Sequence, residues 1–105
     1  MSKFLLRTRY TSKGWRGLVK EGIAARMSYV RKLVESSGGT LESQYFVYGE
    51  DDVLLIVDVD PPVAAGLSMA VNQNDSVEVS TTPLLTVDEM EQARGRIPDY
   101  RPPGQ

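Results

Sequence analysis

Four segments of the chain have the hydrophobic pattern of β-strands. Residues 3–10, 41–48 and 76–82 alternate apolar and polar side chains, whereas residues 53–59 are β-branched and almost all apolar. A period of two is typical of a strand with one buried face, and a continuous apolar run is typical of a central strand that is covered on both faces. The pattern therefore predicts four strands, with the fully apolar one inside the sheet.

Between the first two strands, apolar residues recur every three or four positions, which predicts a long amphipathic helix. They are Trp15, Leu18, Val19, Ile23, Met27, Val30, Leu33 and Val34. Residues 11–12 offer N-cap chemistry, and residues 36–39 (SSGG) end the helix. Because Gly14, Gly17 and Gly22 each weaken a helix, we expect its first turn or two to be irregular or closely packed, with Trp15 in the core.

Two further helices are indicated by their N-terminal signals. Asp60 can cap a helix whose first residue is Pro61, and the polar residues 72–75 stop it. Thr86 and Glu89 have the spacing of a capping box, which opens a short third helix.

The chain after this short helix, which we expect to end near Arg94, is rich in proline. Residues 97–105 (IPDYRPPGQ) cannot form a helix or an inner strand, so they are expected to be extended, polyproline-like or mobile. We therefore divide the chain into one domain, residues 1–96, and a tail, residues 97–105.

The order of the main elements, β-α-β-β-α-β, predicts an α+β fold of the ferredoxin-like, split βαβ type. Right-handed crossovers then place both helices on one face of a four-stranded antiparallel sheet with strand order 4-1-3-2. The short C-terminal helix follows the last strand.

The alternation assigns each side chain of the sheet to a face. The set expected under the helices is Phe4, Leu6, Thr8, Leu41, Tyr45, Val47, Val53, Leu55, Val57, Val77 and Val79. The helix-free face then carries Leu5, Arg7, Arg9, Glu42, Gln44, Phe46, Tyr48, Leu54, Ile56, Asp58, Glu78, Ser80 and Thr82. Apolar patches of this kind usually mark a partner or ligand site, and a second copy of the chain would cover this one. We therefore expect a homodimer or higher homo-oligomer that resembles a dimeric α+β barrel.

Composition narrows the chemistry. The 105-residue chain has neither cysteine nor histidine, which excludes thiol nucleophiles, disulfides, Cys/His zinc sites, imidazole catalysis and histidine-bound haem. A net charge of −2 argues against nucleic acid as a partner. No apolar run reaches the length of a signal-peptide core or a membrane span, so we expect a cytoplasmic protein without a membrane partner. Nothing in the sequence calls for a cofactor.

Several spaced motifs resemble the GYD-domain family of small bacterial and archaeal proteins. They are Arg9-Tyr10-Thr11, Gly14-Trp15-x-Gly17-Leu18-x-Lys20-Glu21-Gly22, Gly38-Gly39-x-Leu41-Glu42, Tyr45-Phe46-x-Tyr48-Gly49-Glu50-Asp51-Asp52, Thr81-Thr82-Pro83-Leu84-Leu85-Thr86 and Tyr100-Arg101-Pro102-Pro103-Gly104. The resemblance implies a ferredoxin-like α+β fold, and it implies no reaction, cofactor or catalytic residues. It also suggests that the turn at residues 49–52, Arg26 and residues 81–86 belong to the family's pattern.

The candidate ligand-binding residues lie on the predicted helix-free face. Arg7 and Arg9 project from the same side of a strand about 7 Å apart and could hold a carboxylate or phosphate. Phe46 and Tyr48 could stack on a planar ligand. The alternatives are structural: ion pairs of the arginines with Glu42, Asp58 or Glu78, and packing of the aromatic side chains across a dimer.

Two acidic features could carry other chemistry. Asp58 follows an apolar run, so it could be a general base with a pKa raised by desolvation, or it could be a partly solvated residue at the strand end. The cluster at residues 50–52 offers oxygen ligands without the spacing of a calcium loop, and we interpret it as a solvated turn rather than a metal site.

Three functions are consistent with the sequence. The first is an oligomeric barrel that binds a small anionic or aromatic ligand through Arg7, Arg9, Phe46, Tyr48 and Asp58. The second is a cofactor-independent monooxygenase, isomerase or cyclase in which Asp58 or Tyr48 moves a proton and Arg7 stabilises an enolate. The third is a structural or regulatory oligomer without a pocket.

Overall fold

The computed structural model describes all 105 residues and contains four strands and four helices. Their bounds are β1 (Ser2–Tyr10), α1 (Ser12–Glu21), α2 (Ile23–Ser36), β2 (Thr40–Phe46), β3 (Val53–Val59), α3 (Pro61–Asn72), β4 (Val77–Leu84) and α4 (Val87–Arg94). The sheet has the order β2-β3-β1-β4, and every neighbouring pair is antiparallel. The predicted α+β fold and the predicted strand order 4-1-3-2 are confirmed, as is the short C-terminal helix.

The core lies between the sheet and helices α2 and α3. It consists of Phe4, Leu6, Met27, Val34, Leu41, Val53, Leu55, Val57, Val59 and Ala64. Every second residue of β3 is buried, because that strand is central and its inner face is covered by helices. Thr8 is the one buried polar side chain of the core face, and its hydroxyl donates to the carbonyl oxygen of Val53 at 2.8 Å.

The prediction of a single long helix between β1 and β2 is wrong, because the helix is interrupted at Gly22 and two helices form. This residue has φ 99° and ψ 139°, a backbone conformation that favours glycine, so α1 ends there and α2 begins in a new direction. The predicted core position of Trp15 is also wrong. Its side chain is 40% exposed and packs edge-on against Tyr10.

A β-bulge in β2 changes the faces predicted for its second half. The register against β3 shifts between Leu41 and Ser43, so that Tyr45 pairs with Leu54 and Phe46 pairs with Val53. Because one extra residue inverts the alternation, Tyr45 lies on the helix-free face and Phe46 lies on the helix side. The predicted positions of these two aromatic residues are therefore exchanged.

Gln44 and Tyr48 also depart from the predicted faces. The bulge pairs Gln44 with Leu55 and so moves it to the helix side as well. The strand ends at Phe46, and Tyr48 lies fully exposed in the following turn rather than on the sheet.

The C-terminal part of the chain extends away from the domain. Thr86 and Glu89 form the predicted capping box of α4, yet every residue from 85 to 105 is exposed. The radius of gyration is 17.1 Å, whereas a compact domain of this length has about 13 Å. Residues 97–105 contain no helix or strand, as predicted. None of the four helices is long and apolar enough to cross a membrane.

Candidate functional site

The two arginines predicted on the helix-free face are there, in different electrostatic settings. Arg7 is exposed between Leu54 of β3 and Ser80 of β4, with no carboxylate within 4.0 Å. Arg9 is also exposed, and its guanidinium lies 3.8 Å from the carboxylate of Glu78. Arg7 is therefore the cation of this face that is free to meet a ligand or a partner.

Asp58 is held by a lysine rather than by either arginine. Its Oδ2 lies 3.5 Å from Lys3 Nζ, which also donates to Glu42 at 2.5 Å and has its pKa raised chiefly by that hydrogen bond. Lys3 precedes Arg7 by four residues of an extended strand, a separation of about 13 Å. The structure thus separates Asp58 from the arginines with which it was expected to act.

Tyr48 and Phe46 do not join Asp58 either. Tyr48 lies in the turn that precedes β3, and Asp58 lies near the far end of that strand, about 17 Å from its first residue, Val53. Phe46 is on the opposite side of the sheet. Within one chain, the predicted proton donor or base and the predicted ring-stacking residues do not share one site. That any of these five residues binds a ligand stays a prediction.

Two cavities lie on the other side of the sheet, beneath the helices. An apolar cavity of about 70 Å³ separates the sheet from α2 and α3. Its walls include Leu6, Leu55 and Val79 from the sheet, Met27 and Val30 from α2, and Leu67 from α3. Because apolar side chains form most of this wall, the cavity suits a hydrocarbon group rather than a charged one.

A wider cleft of about 430 Å³ adjoins the apolar cavity. It runs between α1 and the start of α2 on one side and the end of α3 on the other. Five residues line both spaces: Tyr10, Arg26, Leu33, Val71 and Val77. The two therefore meet at a common boundary, where a polar pair, Tyr10 and Arg26, stands next to apolar side chains.

Arg26 is partly buried and has no acidic partner. No carboxylate lies within 4.0 Å of its guanidinium, which instead lies 4.8 Å from the ring centroid of Tyr29. A cation over an aromatic face is held in place while its N–H groups remain available to an anion. The geometry offers a positioned and unneutralised positive charge at the boundary of the two spaces.

Tyr10 supplies a second hydrogen-bond donor. Burial raises the pKa of its phenol, the nearby charge of Arg26 opposes part of that rise, and the charges of Glu21 and Asp52 add to it. The phenol is therefore protonated at neutral pH. Its ring is fixed by an edge-on contact with Trp15, with the ring centroids 5.3 Å apart.

The acidic turn before β3 has a structural role in positioning Tyr10. Asp52 Oδ2 accepts a hydrogen bond from the Tyr10 backbone N–H at 2.8 Å, and the Asp52 N–H donates to the carbonyl oxygen of Thr8 at 2.8 Å. Gly49 has φ 130°, which lets the chain turn tightly before Asp52 returns to β1. No group of three or more acidic side chains is arranged to hold a metal ion.

Sequence reasoning missed this cleft. Arg26 was identified only as part of the pattern of the resembling family, and Tyr29 was not identified as a candidate. The signal that pointed to the region was the place of Arg26 in the pattern of the resembling family. Periodicity alone could not find the cleft, because the break at Gly22 determines how α1 and α2 enclose it.

The comparisons with known proteins bear on the family of this chain. No curated protein matches it by sequence. Residues 4–93 match the GYD domain, a span that includes strands β2 to β4, helices α1 to α3, and most of β1 and α4. The predicted resemblance is thereby confirmed: the chain belongs to the GYD domain family.

Proposed function

We propose that this protein binds a small amphipathic anion, an apolar chain or ring that carries a carboxylate, in the cleft beneath its helices. The observation that carries the proposal is Arg26, a guanidinium held over the Tyr29 ring without an acidic partner, at the boundary between an open cleft and an apolar cavity. An arginine in this setting favours a planar anionic group.

Charge in the cleft supports an anionic head group near Arg26. Two cationic residues line the cleft, and Lys13 is paired with Asp75 at 3.0 Å. Arg26 is consequently the cation left for a ligand, and the Tyr10 phenol adds a neutral donor beside it. Glu21 on the cleft wall would repel an anion placed near α1, which favours a head group close to α2.

The apolar cavity supports a hydrophobic portion of the ligand. A volume of about 430 Å³ for the cleft lies within the usual range for small-molecule sites, about 300–1,000 Å³, and the cavity of about 70 Å³ extends it inward. An aliphatic or aromatic group that enters this cavity would displace water from apolar walls.

This proposal keeps the ligand class expected from the sequence and changes its place in the fold. On the helix-free face, Arg9 and Asp58 are engaged in ion pairs, and Tyr48 is remote from both. The cofactor-independent enzyme needs Asp58 or Tyr48 beside Arg7, and no observation favours it over binding alone.

The test is a titration with defined probes rather than a search for a natural ligand. Straight-chain carboxylates from butanoate to octanoate, and their neutral amides, are titrated at millimolar concentrations and followed by protein NMR. We expect the carboxylates to bind more tightly than the amides. Arg26→Gln should weaken carboxylate binding about tenfold or more and leave the amides unchanged. Arg16→Gln, which removes a charge from exposed α1 outside the cleft, is the matched control.

The pH dependence of the same titration adds an independent readout. Because the pKa of Tyr10 is raised, its phenol stays a donor through neutral pH, and carboxylate binding should weaken only as pH rises above its ordinary pKa of 10.0. Tyr10→Phe should remove that alkaline loss. Equal binding of carboxylates and amides, or equal weakening by the Arg16 and Arg26 variants, would contradict the proposal.

A further inference from the structure

Residues 85–105 form an arm whose apolar side chains are exposed to solvent. They include Leu85, Val87, Met90, Ile97 and Tyr100, each between 57% and 81% exposed. Scattered apolar residues on a surface are ordinary, but here they concentrate in one projecting segment. The domain does not cover these apolar side chains, so their clustering in one segment points to a contact outside it.

The arm has regular structure without packing that would maintain it. Helix α4 has eight residues and no buried side chain, although its capping box and the Glu91–Arg94 pair at 2.9 Å are formed. Isolated helices this short are marginal in water and normally depend on packing of an apolar face. Helix α4 therefore lacks the tertiary packing that normally stabilises a helix of this length.

The helix-free face of the sheet has a complementary surface. Leu5 and Ile56 are paired neighbours at its centre, and the next row places Arg7 beside Leu54, with Tyr45 beyond at 69% exposure. This face combines an apolar centre with one cation, Arg7, that has no acidic partner.

We propose that the arm of one chain packs on the helix-free face of a second copy, so that two copies exchange arms as they associate. Charge supports this occupant: Asp99 of the arm has no hydrogen bond or ion pair through its side chain, and Arg7 is the unpaired cation of the face. Val87 and Met90 are three residues apart on one side of α4 and would meet the apolar centre.

The area of the face supports the arm as part of the interface. Four strands about 4.8 Å apart and seven residues long at about 3.3 Å each give a face of about 400 Å². A stable interface buries about 800 Å² on each partner. A 21-residue arm, residues 85–105, is exposed along its whole length and adds to the surface that two sheets alone would bury.

Cross-linking tests the contact directly, because the natural chain has no cysteine. Isotope-labelled Met90→Cys chains are mixed with unlabelled Tyr45→Cys chains and treated with a short bismaleimide. We expect a labelled–unlabelled product. A mixture of Met90→Cys with Lys32→Cys, an exposed residue of α2 on the other side of the sheet, is the control and should give little product. Equal yields in the two mixtures, or a link only within a chain that carries both Met90→Cys and Tyr45→Cys, would overturn the proposal.

Self-association of the full chain provides the second measurement, by sedimentation equilibrium. Met90→Asp should raise the dimer dissociation constant about tenfold or more, because it places a charge in the apolar contact. Gln92→Asp adds the same charge two residues away, on the opposite side of α4, and should change the dissociation constant less than about twofold. A wild-type chain that remains monomeric at high concentration, or two variants with equal effects, would also overturn the proposal.

Discussion

At the scale of single residues, the acidic turn shows how a charged side chain can have a backbone role. Asp52 lies among three consecutive acidic residues, a composition that invites a metal-binding interpretation. Its carboxylate instead accepts the Tyr10 N–H, which has left the β1–β3 ladder after Thr8. The turn thereby fixes the end of β1, and with it the residue that lines both cavities.

This role predicts a loss of stability that is specific to one of two adjacent aspartates. Asp52→Ala leaves the partly buried Tyr10 N–H without its acceptor, which should lower the free energy of unfolding by about 1–3 kcal/mol. Asp51→Ala is the control, because that carboxylate makes no hydrogen bond or ion pair and is similarly half-buried. Urea denaturation of the two variants checks it, and equal losses would refute the assigned role.

At the scale of elements, α1 shows why glycines of one helix differ in their effect. The three glycines between residues 12 and 22 were treated alike in the sequence, as weak points of a helix. In the structure, a Cβ on Gly14 would collide with the carbonyl oxygen of Ser76, whereas a Cβ on Gly17 would meet nothing within 4 Å. Gly22 ends the helix with a positive φ. The three glycines therefore have three different structural roles: close packing at Gly14, no contact at Gly17 and helix termination at Gly22.

Substitutions at Gly14 and Gly17 should consequently change stability in opposite directions. Gly17→Ala replaces a flexible residue inside an exposed helix and should raise the free energy of unfolding by up to about 1 kcal/mol. Gly14→Ala should lower it, because the collision is with backbone and can be relieved only if α1 moves away from β4. Thermal unfolding followed by circular dichroism distinguishes the two. Stabilisation by both substitutions would show that α1 does not pack as closely as the structure indicates.

The same scale explains what the sequence could and could not predict. Strand order follows from the sequence of elements, because right-handed crossovers leave few topologies, and β1 and β3 keep their predicted faces. The predicted face assignments in β2 are wrong after Leu41, because a bulge adds one residue without changing the local hydrophobic pattern. The cleft could not be predicted for a related reason. Whether Arg26 faces solvent or the cleft depends on the direction of α2, and the break at Gly22 determines that direction.

At the scale of the whole molecule, the division between a compact domain and an extended arm has a thermodynamic consequence. If residues 85–105 pack on a second copy, folding and association are linked, and the folded state gains stability with protein concentration. A hundredfold rise in concentration adds about 2.7 kcal/mol for each dimer. For chains of this length, half of that for each chain corresponds to an increase in Tm of about 5 °C.

The variant Met90→Asp separates this linkage from the stability of the domain. Its Tm should begin to rise only at concentrations about tenfold or more above those at which the wild-type Tm rises, because α4 contributes no buried side chain to its own domain and the substitution weakens only the contact between chains. At low concentration, where the wild-type chain is dissociated, the two proteins should unfold at nearly the same temperature. A wild-type Tm that is independent of concentration would mean that the arm stays in solvent, and the exposed apolar residues would then need another partner.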